Sequence, residues 1–139
     1  MKVYRHISIA ALAVSAAALP IAVIAQAPVP KPERVQFAKG TSSKAIKGTI
    51  KGDQSRAFVV KLRAGQKISV KLVSSNASAN FNVTAPGAQQ AMFIGSTSGY
   101  EMQEVIPSSG DYKIDLFLMR NAARRNETAN FTITIGATG

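Results

Sequence analysis

Apolar residues recur at every second position through most of this chain, and that period decides what it can fold into. Phe58, Val60 and Leu62 fall on one face of their segment, and Ile68, Val70 and Leu72 on one face of the next. Phe81 with Val83, then Tyr112, Ile114, Leu116 and Leu118, then Phe131, Ile133 and Ile135 repeat the pattern. Ser69, Lys71, Thr132 and Thr134 stand on the opposite faces. Such alternation marks strands with one buried and one wet side. Turn chemistry separates the runs: Lys51-Gly52-Asp53-Gln54, Arg63-Ala64-Gly65-Gln66, Pro86-Gly87-Ala88 and Ser108-Ser109-Gly110-Asp111. Glycine and proline supply the backbone angles a reversal needs. The spacing predicts an all-β antiparallel sandwich of eight or nine strands, near 35–38, 45–50, 57–62, 67–73, 80–84, 91–94, 101–106, 111–118 and 129–135.

The N-terminus reads differently. Met1-Lys2-Val3-Tyr4-Arg5-His6 is basic, Ile7 to Ile24 carries no charge, and the run closes on small residues at Ala25. That three-part order is a secretory signal peptide, expected to be cut after Ala25. Pro20 and the many alanines make the segment a poor stable membrane anchor, and no cysteine follows to accept a lipid. Loss of 25 of 139 residues leaves 114, enough for one domain. Residues 26–33 form an extended, proline-rich linker, and the folded domain is expected over 34–139. With no cysteine, an exported domain must rely on packing and sheet hydrogen bonds for stability. The expected location is the periplasm or the exterior.

The residues that are missing exclude most chemistry. His6 is the one histidine, and it leaves with the signal. The mature chain therefore has no Ser-His-Asp or Cys-His nucleophile and no imidazole or thiolate zinc site. Neither cofactor nor metal is expected. Glu33, Asp53, Glu101, Glu104, Asp111, Asp115 and Glu127 remain and read as solvated surface charge, with no catalytic pairing among them. An enzyme is not expected. Without Lys2 and Arg5 the formal charge falls from +10 to +8, which favours an anionic partner. Six Phe, three Tyr and no Trp leave too few aromatics for a nucleic-acid stacking groove.

One segment breaks the period. Arg120-Asn121-Ala122-Ala123-Arg124-Arg125-Asn126-Glu127-Thr128 is polar and longer than a hairpin needs. A helical turn over Ala122 and Ala123 would set Arg120 and Arg124 on one face. Guanidinium groups are suited to forked bonding of a carboxylate. Binding to an acidic protein cleft, a carbohydrate- or cell-wall-binding module with affinity for peptidoglycan, and an edge-pairing assembly subunit all fit these residues.

From Val35 to Ile135 the chain resembles the periplasmic inhibitors of goose-type (g-type) lysozyme. The resemblance rests on Val35-Gln36-Phe37-Ala38-Lys39-Gly40-Thr41-Ser42-Ser43, Gly48-Thr49-Ile50-Lys51-Gly52, Arg63-Ala64-Gly65-Gln66-Lys67, Pro107-Ser108-Ser109-Gly110-Asp111-Tyr112 and the arginine segment. It implies a sandwich whose loops enter the cleft of a lysozyme, with Arg120 and Arg124 matching the two arginines of the family's inhibitory loop. Arg125 adjoins them. Where the family tends to offer a tyrosine after the first hairpin's glycine, this chain has Asp53. Tyr100 is a further aromatic candidate for contact with the target.

Overall fold

The alternating rows pair into two sheets that close face to face. The computed structural model describes residues 13–20 and 29–139. The expected signal peptide and its cut after Ala25 lie outside the described residues, except for 13–20, which are exposed and carry no helix or strand. Among the described residues no helix is long and apolar enough to cross a membrane.

Among the described residues nine strands and two helical turns follow in order: β1 (Glu33–Arg34), β2 (Ser43–Lys51), β3 (Ser55–Leu62), β4 (Lys67–Ser74), β5 (Ala79–Thr84), β6 (Phe93–Ile94), α1 (Gly95–Ser98), β7 (Glu101–Val105), β8 (Gly110–Leu118), α2 (Arg120–Arg124) and β9 (Thr128–Thr138). One sheet has the order β1-β3-β8-β5-β6, the other β2-β9-β4-β7. Every pairing but one is antiparallel. The fold class read from the period is borne out.

Register carries the apolar rows across the sheets. Phe58 lies opposite Ile114 and Val60 opposite Tyr112, while Phe81 flanks Leu116 from the other side. In the second sheet Ile46 and Leu72 both face Ile133, and Val70 faces Ile135. These side chains are buried or packed on the core. Each large one contributes about 1.5–3 kcal/mol. Phe81 and Phe93 stack with ring centres 5.0 Å apart. At the end of the sandwich holding the β3–β4 and β7–β8 turns, the fully buried Tyr112 donates its hydroxyl to Ser108 O at 2.6 Å.

The N-terminal edge departs from expectation. The strand expected over 35–38 is two residues long, lies at Glu33–Arg34 and runs parallel to β3. It therefore takes in the last residue of the expected linker. Ion pairs hold it there: Arg34 forks onto Asp111 at 2.9 and 3.1 Å, and Glu33 accepts from Arg56 at 2.6 Å. Val35 then turns into the core, its N–H donating to Val59 O at 2.8 Å. The Arg56 guanidinium lies over the rings of Phe58 and Phe131, 5.4 and 5.6 Å from their centres. Gly48 makes room for it, because a Cβ there would stand 2.6 Å from Arg56 Nη1 and 2.8 Å from Phe131 Cζ. The strand expected at 91–94 is trimmed to Phe93–Ile94. The chain then turns through α1, whose Gly95 presses so close to Phe81 O that a Cβ would sit 2.5 Å away.

The hydrogen bond from Arg34 holds the Asp111 carboxyl below the usual carboxylate range, with a smaller contribution from the charges of Arg34 and Lys61. A depressed folded-state value means this contribution is complete above the unfolded carboxylate value, about 3.9, and is lost as pH falls through the folded value beneath it. Asp111→Asn should therefore flatten the acid limb of thermal stability measured from pH 6 to pH 2. Parallel curves for wild type and variant would contradict the latch.

Candidate functional site

Neighbouring strands run antiparallel, so alternate connections come to the same end of the sandwich. The β2–β3 turn, the β4–β5 turn, the α1–β7 junction and the β8–β9 loop all meet there. Asp53, Tyr100, Arg120, Arg124 and Arg125, far apart in sequence, are gathered at this one end.

The β8–β9 loop contains α2, and burial dictates how it points. Ala122 is fully buried and Ala123 packs on the core. Arg120 and Arg124 are each two residues from Ala122, hence each about 160° from it around the helix axis. Both are exposed, and neither enters an ion pair among the described residues. The helical turn expected at Ala122 and Ala123 is present. Arg125 is differently placed: its Nε donates to Glu127 Oε2 at 2.5 Å. Glu127 also accepts from Asn76 Nδ2 at 3.0 Å. The Asn76 bond first, and the Arg125 bond after it, hold its carboxyl below the ordinary range.

The loop is fastened to its neighbours by backbone. Met119 N–H donates to Ser78 O at 2.8 Å, and Gly52 N–H to Glu127 O at 2.9 Å. Asn126 takes a left-handed conformation, φ 55°, which asparagine tolerates better than most residues. Its Oδ1 rests against Gly52, itself left-handed at φ 61°. A Cβ on Gly52 would lie 2.6 Å from that oxygen. Asp53 follows at the exposed tip of the turn.

Tyr100 is half exposed at the rim. Its hydroxyl donates to Ala77 O at 2.5 Å, and its carbonyl accepts from Leu72 N–H at 2.9 Å. The ring borders a shallow recess of about 420 Å³ with Leu72, Ser74, Asn76 and Ala77. Lys51, Lys71, Arg120, Arg124 and Arg125 outnumber Asp53, Glu101 and Glu127 at this end and the strand ends that flank it, so it is net positive.

No protein-family profile matches the chain. A curated relative, the inhibitor of g-type lysozyme of Escherichia coli K12, is 31% identical over 104 residues, spanning 73% of this chain and 77% of the relative. The chain belongs to the g-type lysozyme inhibitor family. Crystal structures of the family's periplasmic members agree. Aeromonas hydrophila PliG matches with a TM-score of 0.71 at 34% identity over 78% of this chain and 97% of that one. Salmonella Typhimurium PliG matches at 0.64 and 28% identity, over 78% and 98%. The resemblance read from the motifs is thereby borne out.

In this g-type lysozyme inhibitor family member, sequence reasoning overlooked Asn76, Asn126 and Glu127. Glu127 read as surface charge because its partner Asn76 lies 51 positions earlier. The one local signal was asparagine directly after the arginines, a residue suited to the left-handed turn. Gly52→Ala should destabilise the fold by about 1–3 kcal/mol, since a side chain there meets both a left-handed backbone and Asn126. Urea unfolding reads this, and an unchanged midpoint would contradict the close approach.

Proposed function

We propose that this protein is a periplasmic inhibitor of g-type lysozyme, exported by a signal peptide cut after Ala25, that blocks the lysozyme's substrate cleft with Arg120 and Arg124. The observation that carries the reading is the outward pair of arginines on a turn whose opposite side is buried in the core. Glycoside hydrolases work with cleft carboxylates. A guanidinium forks onto a carboxylate through two parallel N–H bonds, and the pair strengthens as water is excluded. A protruding arginine therefore occupies the sugar's place and ties up a carboxylate that the hydrolysis needs. A second arginine four positions on presents a further fork on the same side.

The neighbouring loops complete a contact face. Tyr100 offers half a ring beside the recess it borders, and Tyr and Arg are residue types that dominate interface energies. Asp53 at the first hairpin tip is the acidic counterpart, selecting a donor or cation on the target's rim. Arg125 is exposed beside Arg120 and Arg124 but is engaged by Glu127. The net positive end speeds encounter with an acidic cleft. Family membership supports inhibition as the activity, and the loss of His6 with the signal leaves the mature chain without the groups that most hydrolytic sites use.

Purified mature protein, titrated into peptidoglycan lysis by goose-, chicken- and invertebrate-type lysozymes, should inhibit the goose type selectively. Arg120→Ala with Arg124→Ala should weaken inhibition by at least about 30-fold, the loss expected of a hot spot. Intact inhibition by the double variant would overturn the arginine mechanism. Capture by purified peptidoglycan without any effect on lysozyme would instead favour a cell-wall-binding module.

A further inference from the structure

Glu127 ties three connections together. Its carbonyl accepts from Gly52 N–H in the β2–β3 turn at 2.9 Å, and its own N–H donates to Ala122 O within the loop at 3.1 Å. Its carboxylate takes Arg125 Nε on one oxygen at 2.5 Å and Asn76 Nδ2, from the β4–β5 turn, on the other at 3.0 Å. Asn76 reaches both ends of the loop. Its Nδ2 also lies 3.3 Å from Thr128 O, while its Oδ1 accepts from Ser78 N–H at 2.9 Å. The carbonyl of that same Ser78 receives Met119 N–H, at 2.8 Å. A closed circuit therefore runs from Met119 through Ser78, Asn76 and Glu127 back into α2.

We infer that Glu127 and Asn76 are positioning residues for the inhibitory loop, fixing the direction in which Arg120 and Arg124 leave the sandwich before any target arrives. The inference rests on the arginine-loop reading proposed above and adds how that loop is presented. Without the circuit, nine residues from Met119 to Glu127 would be held mainly by the burial of Ala122. Ordering them on contact would then be charged against affinity. Bonds to an ionised carboxylate are about twice as strong as neutral ones, so the circuit should loosen when Glu127 loses its charge even if its shape is kept. The same carboxylate partly offsets the arginines. Neutralising it makes this end more positive and should not slow approach to an acidic cleft.

These two consequences separate positioning from general folding. Binding of the full mature protein to immobilised goose-type lysozyme should show Glu127→Gln dissociating about tenfold faster, with an association rate no lower than wild type. Asn76→Ala, which removes the amide, should also speed dissociation. A fall in the binding-competent fraction with wild-type dissociation of the remainder would overturn the inference, because that is what a merely structural role produces. If wild type binds, Arg120→Ala/Arg124→Ala does not, and Glu127→Gln dissociates at the wild-type rate, the positioning role fails while the arginine reading stands. If wild type itself does not bind, both fall.

Discussion

The inward rows of the two sheets are pressed together almost entirely by apolar side chains, and every other feature depends on that contact. No cysteine exists to staple the chain. Tyr112, Phe58, Phe81, Ile114, Leu116, Ile133 and Ile135 are sealed between the sheets. A core packed to that degree resists small displacements, so each strand end is a fixed point. The loops at either end are suspended from fixed points, which lets a short protein offer a shaped surface without a large domain behind it.

The core also reaches directly into the candidate site. Ala122 belongs to the buried cluster, and the helical geometry that seats it turns Arg120 and Arg124 outward together. Alanine suits this position: it is small enough to let the turn sit close, and it favours the helical conformation. The backbone does the rest through Gly52, Ser78 and Asn126. Arg120 and Arg124 therefore stand exposed and outside any ion pair among the described residues, while Arg125 is engaged by Glu127. That division of labour within one loop is a physical distinction that three equal arginines in a sequence do not reveal.

What could be read in advance follows from the range of each interaction. Strands were legible because alternation is local, and the helical turn of α2 because Ala122 and Ala123 adjoin residues that suit it. Arg120 and Arg124 were legible as a pair from their four-residue spacing. The parallel pairing of β1 was not, because its latch joins Arg34 to Asp111, 77 positions apart. Nor was α1, where the turn depends on Gly95 lying against Phe81 in another strand. Asp53 and Tyr100 could be named singly. That they share an end with the arginines required the strand order, which no local pattern encodes. Glu127 was misjudged as plain surface charge for the same reason.

The central claim is spatial: one end of the sandwich, and not the other, meets the lysozyme. Amide chemical-shift mapping of the mature protein with unlabelled goose-type lysozyme tests it most directly. The account predicts that shifts and broadening concentrate at residues 51–54, 75–78, 99–101 and 119–127. Perturbation centred on the opposite end, at 63–66, 85–92 and 106–109, or spread over an outer sheet face, would contradict it.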